Sequence, residues 1–515
     1  MFRRRSVTSL GMAGIVLLWA SLPGWAQTPA HDRGTSGGEA VERKQAATPE
    51  PALPSDAVTT HTIKIGDREF SYTATAGALA LTNDKGEHRA DVFFVAYTLN
   101  GADAKTRPLT IAFNGGPGAG SAYLQLGAIG PRILDFGNGK TPFAPGGLID
   151  NPDTWLDVTD LVFVDPVGTG YSRGVGGADA VQKEFWGVRQ DLDSLGQIVR
   201  LALAHLDRFS SPLYLAGESY GGFRAARLPK QLADGQGLMV RGEVMVSPVL
   251  EFSLLEGDDF RPMPWALRLP SYAAVSLEAQ GKLTADALKT AETFALGEYL
   301  TKLVTPPADA KTAERFYGTI ADLIGLPESL VARWRGRVPL PIFTKERLHD
   351  QGELVSRYDG SVATPDPYPS SAWPASGDPI LSGLTAPLTS GFVAYVRDEL
   401  HFKTDRRYVL LNGEVARRWD MKGHGNGGDA YAGASNDLRE GLALNPRLRV
   451  LIAHGMTDLQ TPYMASRYVI DHLPAELTQG RVTLKLYPGG HMMYLRQASR
   501  AALHQDVRAI YSGAE

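Results

Sequence analysis

The sequence predicts an α/β protein with a mostly parallel central sheet, antiparallel hairpins at the N-terminal edge and a mainly helical cap inserted late in the chain. Three observations carry this prediction. Beyond Pro108 lie short, almost wholly apolar runs that end in glycines or a turn: 109–113, 161–164, 213–216, 244–249, 450–453 and 482–486. Strands covered on both faces have that composition. Helical patterns such as 184–206 and 464–473 separate several of these runs, which is the βαβ layout of a parallel sheet. About two hundred residues then part the run ending near Leu250 from the one beginning near Arg447, far more than the dozen or so that a crossover needs.

Taken in order, the chain opens with Met1-Phe2-Arg3-Arg4-Arg5, an apolar run from about Gly11 to Leu22, and Gly24-Trp25-Ala26. This is the basic, apolar and small-residue order of a cleavable signal peptide, assigned to 1–26. The run falls short of the ~20 apolar residues that span a bilayer, so export without lasting membrane insertion is expected, to the periplasm or the medium of a bacterium. Consecutive arginines also permit twin-arginine export. Residues 27–56 are rich in Pro, Ala, Gly, Thr and charges without apolar periodicity and read as a flexible linker. Residues 62–65, 69–72 and 91–97 are β-rich segments broken by Gly-Asp and Asn-Asp-Lys-Gly turns, the pattern of hairpins at a sheet edge. The first part of the core is therefore placed at 57–250 and the second at 441–515. Between them, 251–440 forms the cap, with helical stretches at 265–283, 285–303 and 345–358 and a Pro/Ser/Asp-rich segment at 361–379. The glycine-rich piece 423–428 does not join a strand to a helix as a phosphate-binding loop would and reads as a loop.

Composition narrows the chemistry. With 52 basic and 56 acidic residues the net charge is -4, which offers no basic face for nucleic acid. There is no cysteine, so a thiol nucleophile, a thiolate metal site and disulfides are excluded. No metal site or cofactor is implied, and the oligomeric state is not encoded in any pattern.

The strongest local motif is Gly217-Glu218-Ser219-Tyr220-Gly221, set between an apolar run and a helical pattern. In that setting G-x-S-x-G is a sharp turn that lifts a serine hydroxyl out of the sheet, making Ser219 the candidate nucleophile. Serine needs a histidine to take its proton and a carboxylate to orient the histidine. In α/β-hydrolases these follow in the order Ser, Asp, His in loops after late strands. Asp458 and His491 fall in consecutive loops of that kind, with a helical pattern between them. Among the other histidines, His454 precedes the acid in chain order, His472 and His504 lie in helical patterns, and His424 lies in the glycine-rich loop. The oxyanion hole then takes one N–H from Tyr220, after the nucleophile, and one from the Asn114-Gly115-Gly116-Pro117-Gly118 loop, with Gly116 the best candidate.

Five segments in order, 114–118, 165–172 (Asp-Pro-Val-Gly-Thr-Gly-Tyr-Ser), 217–222, 455–458 and 490–492, resemble the signature segments of the serine carboxypeptidases. The resemblance implies an α/β-hydrolase fold and removal of C-terminal residues from peptides bearing a free carboxylate, which Asn114 and Glu218 would hydrogen-bond. One carboxyl can bind another only if a proton lies between them, so Glu218 would work best in acid. In the family a second glutamate partners it; the matching residue ahead of Gly130-Pro131 is Ala128. Nearby Arg132 is a candidate for the carboxylate contact instead. An esterase or acyltransferase with the same triad, and a non-catalytic binding protein on a hydrolase scaffold, are the alternative functions.

Overall fold

The computed structural model describes residues 51–139, 145–374, 377–422 and 432–512. The expected signal peptide, residues 27–50 of the expected linker and the glycine-rich piece with His424 lie outside them.

Three long antiparallel strands, β1 (Ala57–Ile65), β2 (Arg68–Thr82) and β3 (His88–Leu99), form one side of the sheet. Next in the chain come β4 (Leu109–Phe113), β5 (Asp160–Val164), β6 (Leu213–Glu218), β7 (Val240–Val246), β8 (Arg449–Gly455) and β9 (Val482–Tyr487). In space the order is β1-β2-β3-β5-β4-β6-β7-β8-β9, with β5 antiparallel to β3 and every later pairing parallel. Every residue of β4, β5 and β6 is buried, because helices cover both faces. By contrast β1 alternates between covered and exposed positions, with only Ile63 fully buried, as an edge strand does.

The helices around the sheet are α1 (Val188–His205), α2 (Tyr220–Gln236), α3 (Met263–Ala279), α4 (Ser435–Leu444), α5 (Tyr463–Asp471) and α6 (Gln497–Ser512). Leu503, Val507 and Tyr511 of α6 pack with Tyr214, Val244 and Leu451 on one face. On the other face α1, α2 and α4 pack with Leu215, Met245 and Val450. The expected helix 184–206 is two helices, Ala178–Phe185 and α1. They part where Gly187 becomes extended and Val188 N–H bonds Asp420 C=O at 3.0 Å. The apolar run 244–249 begins as a strand earlier, at Val240, and ends at Val246, since Ser247 turns the chain with φ +45°.

The cap holds its own apolar cluster, in which α3 packs with helices 285–304 and Ala310–Ile324. The expected helix 345–358 is corrected: Leu340–Glu346 is helical, but Glu353–Val355 pairs antiparallel with Ala363–Pro365. Gly352, at φ +70°, breaks the preceding turn, and φ > 0 is open to glycine at little steric cost. A helix that the sequence reading did not include, Pro379–Ala394, starts at Asp378, whose side chain accepts from the N–H groups of Ile380 and Leu381. The chain is back on the core before residue 441: Gly170 pairs with Val409 and Ala119 with Leu411, and α4 packs on α2.

Candidate active site

β6 runs directly into Ser219, which sits at φ +59°, ψ -120° before α2 begins. A side chain in that conformation costs about 1–3 kcal/mol and persists only where the surroundings impose it. Here Ser219 N–H donates to Val246 C=O at 2.9 Å, and its C=O accepts from Gly222 N–H at 3.0 Å and Val249 N–H at 3.3 Å. The two motif glycines permit the close packing. A Cβ on Gly217 would lie 2.0 Å from Gly221 O, and one on Gly221 would lie 2.4 Å from Phe113 O.

The chain after β8 brings Asp458, and the chain after β9 brings His491, to one point. His491 Nδ1 lies 2.8 Å from Asp458 Oδ2, with both side chains buried. Asp458 Oδ1 accepts from Gln460 N–H at 2.8 Å and Thr461 N–H at 3.0 Å, while Thr461 Oγ1 donates to Oδ2 at 2.7 Å. With its oxygens thus oriented, the carboxylate holds the imidazole with Nδ1 protonated and Nε2 free to accept a proton. Burial depresses the His491 imidazole, but the hydrogen-bonded Asp458 carboxylate, with Glu218 and Asp378 behind it, makes the net effect upward. The Ser247 hydroxyl donates to His491 C=O at 2.8 Å, and Tyr358 stands edge-on to the ring with centroids 5.2 Å apart. The turn from Val246 to Val249 therefore anchors Ser219 through its backbone and His491 through Ser247. His454, buried and bonded to Ser466 Oγ at 2.8 Å, is a packing residue whose imidazole burial pushes down to about 4. His504 bonds Asp157 at 2.8 Å, and His472 caps α5 with its ring bonded to Tyr468 C=O.

The 114–118 loop lies over the start of α2. A Cβ on Gly115 would stand 2.5 Å from Tyr220 N, so Gly115 runs past the Tyr220 N–H, at a positively polarised helix end. Buried Arg224 holds this loop: it donates to Asn114 C=O and pairs with Asp191 at 2.7 and 3.0 Å.

Beside the nucleophile, the buried Glu218 accepts on Oε2 from Asn114 Nδ2 at 2.8 Å and from Tyr494 Oη at 2.7 Å. Burial pushes the Glu218 carboxyl up, against the pull of His491, Tyr494 and Asn114. Ala128 lies buried in the helical turn Gln125–Ile129, and a Cβ on adjacent Gly127 would stand 3.1 Å from the Tyr494 ring. Arg132 does not join the site. Its guanidinium pairs with Asp150 at 2.6 Å and Glu399 at 3.3 Å, in a cleft of about 460 Å³ that it shares with His61 and Tyr72 and that contains no triad residue.

Sequence reasoning missed Thr461, Ser247, Tyr358, Tyr494 and Arg224. A hydroxyl three residues after Asp458 is a local turn pattern that could have flagged Thr461. The rest arrive from distant segments and leave no local signal.

Six parallel strands, a strained serine turn after β6 and an Asp–His pair after β8 and β9 are the layout of an α/β-hydrolase fold. Within it, residues 68–239 match the family model described as serine carboxypeptidase. Serine carboxypeptidase-like 16 of Arabidopsis thaliana is 26% identical over 180 residues, 33% of this chain and 39% of that protein. The retinoid-inducible serine carboxypeptidase of Homo sapiens is 35% identical over 127 residues, 24% of this chain and 25% of that protein. The matched part is thus well under half the length of either relative. Among solved structures, a proline iminopeptidase of Mycobacterium smegmatis aligns over 89% of this chain and all of its own with a TM-score of 0.35 at 16% identity. Esterase E22 aligns over 85% of this chain and 100% of its own with a TM-score of 0.37 at 14% identity.

Proposed function

We propose that this chain is a serine carboxypeptidase that removes C-terminal residues from peptides through an acyl-enzyme. The observation that carries it is the buried Glu218–Asn114 pair next to Ser219, with the Glu218 carboxyl biased toward its neutral form. A neutral carboxyl donates a hydrogen bond to a carboxylate, which an ionised one cannot do. The serine carboxypeptidase match over 68–239 supports the same reading.

In this mechanism Ser219 Oγ attacks the scissile carbonyl carbon while its proton passes to His491 Nε2. Asp458 stabilises the resulting imidazolium. The oxyanion forms against the Gly116 and Tyr220 N–H groups. Collapse breaks the C–N bond, and His491 returns the proton to the leaving amine, freeing the terminal amino acid. A water, deprotonated by His491, then attacks the acyl carbon, releases the shortened peptide and restores the Ser219 hydroxyl. One water is consumed for each bond cut.

Export to the periplasm or medium of a bacterium is part of the proposal, supported by the order of the first 26 residues. N-terminal sequencing of secreted protein should then begin at Gln27. The activity is tested with N-blocked dipeptides and their C-terminally amidated counterparts. Preference for the free acid, with loss of turnover in Ser219→Ala by about 10⁴-fold or more, supports it. Equal turnover of acid and amide would remove the carboxypeptidase assignment while leaving the triad in place.

A further inference from the structure

We propose that Tyr494 fixes the proton of Glu218 on the oxygen that faces the substrate, turning this buried carboxyl into a hydrogen-bond donor for the substrate's terminal carboxylate. The inference rests on the carboxypeptidase reading, and Tyr494 acts through Glu218 as a positioning residue.

The geometry is directional. Both donors, Asn114 Nδ2 at 2.8 Å and Tyr494 Oη at 2.7 Å, converge on Oε2. A neutral carboxyl has one carbonyl-like oxygen, the better acceptor, and one hydroxyl oxygen. Two donors on Oε2 use its two lone pairs, so the proton belongs on Oε1, which has no protein partner among the described residues and remains available to a ligand. Tyr494 cannot turn away: its ring is fully buried against the Gln125–Ile129 turn, where Gly127 leaves room for it. Its own hydroxyl is pushed well above the ordinary phenol range by burial and by Glu218, so it stays protonated and able to donate. Asn114 is fixed in turn, since its Oδ1 accepts from Leu124 N–H at 3.0 Å, which points Nδ2 at Glu218.

The other ionisable groups whose charge Glu218 feels or affects are His491, Asp458, Tyr123 and Tyr358. None of the four is bonded to the Glu218 carboxyl, whereas Tyr494 is. Tyr494 is thus the charge-neutral partner of Glu218, packed against the Gln125–Ile129 turn at Gly127.

The test compares free-acid and amidated dipeptides from pH 4 to 8. In Tyr494→Phe the kcat/KM ratio of acid over amide should fall about tenfold, the loss of one hydrogen bond that orders a charged contact, with most of the change in KM. The pH at which KM for the free acid begins to climb should move upward, because the ionised Glu218 loses a donor that stabilised its charge. Site-specific 3-fluorotyrosine at Tyr494, a stronger donor of the same shape, should move that pH downward without disturbing the fold. In Glu218→Gln, whose donor needs no added proton, KM should be flat with pH and Tyr494→Phe should produce no further shift. An unmoved pH profile in both position-494 variants overturns the role of Tyr494 while leaving acid-over-amide preference, and with it the carboxypeptidase reading, intact. Absence of that preference in the unaltered enzyme removes both.

Discussion

Glu243 sits at the middle of β7, in register with Leu215 of β6 on one side and Val450 of β8 on the other. It is fully buried, and neither carboxylate oxygen has a hydrogen-bond partner among the described residues. Burial alone raises its carboxyl well above the ordinary range, so the native state holds a proton that the unfolded chain gives up near pH 4.3. Between the unfolded and native values the native state binds one proton more, and stability falls with rising pH by about 1.4 kcal/mol per unit. It is fully retained below the unfolded value and declines until the native value is passed. Glu243→Gln removes the titration but keeps a buried amide, so its advantage over the unaltered protein should grow as the pH is raised from 4.5 to 6.5, approaching a slope of about 1.4 kcal/mol per unit until the native value is passed. Glu243→Met removes the polar atoms as well and should exceed the glutamine variant by about 1–3 kcal/mol at every pH. Urea unfolding at pH 4.5, 5.5 and 6.5 measures both differences. Parallel pH dependence of the unaltered protein and the Glu243→Gln variant would refute the reasoning, since it would mean that Glu243 has the same proton affinity folded and unfolded.

Two further substitutions probe the site. Thr461→Val withdraws a donor from Asp458 Oδ2 and a neighbour 3.0 Å from His491 Nδ1; kcat should fall about tenfold with KM little changed, and a larger effect on KM than on kcat would count against an orienting role. Arg224→Met strands the buried Asp191 carboxylate and frees Asn114 C=O. Stability should drop by about 3–5 kcal/mol, read from urea midpoints, and an unchanged midpoint would contradict the assignment of Arg224 as a buried strut.

The inner strands of the core were legible because each is an apolar run long enough for one crossing of a sheet and bounded by turn residues, as 109–113 shows; 482–486, read as such a run, is instead a half-buried strand at the sheet edge with Thr483 and Lys485 exposed. Ser219, Asp458 and His491 could be singled out because strand-end loops carry chemistry in a parallel sheet, and those loops follow the runs directly. Such signals are local: periodicity, glycine and proline placement, and spacing along the chain.

What lay beyond them depended on contacts between segments far apart in sequence. Arg132 is near Ala128 in the chain and looked like a carboxylate ligand, yet Asp150 and Glu399 claim its charge. Tyr494 carries no motif and reaches Glu218 across 276 residues. The sequence by itself determined the sheet, the nucleophile turn and the order of the triad candidates, because backbone propensity and burial pattern act over neighbouring residues. Only the tertiary structure decided which polar atoms face one another around Glu218 and leave Glu243 alone in the core, because hydrogen-bond pairing depends on ångström-scale placement of side chains from different elements.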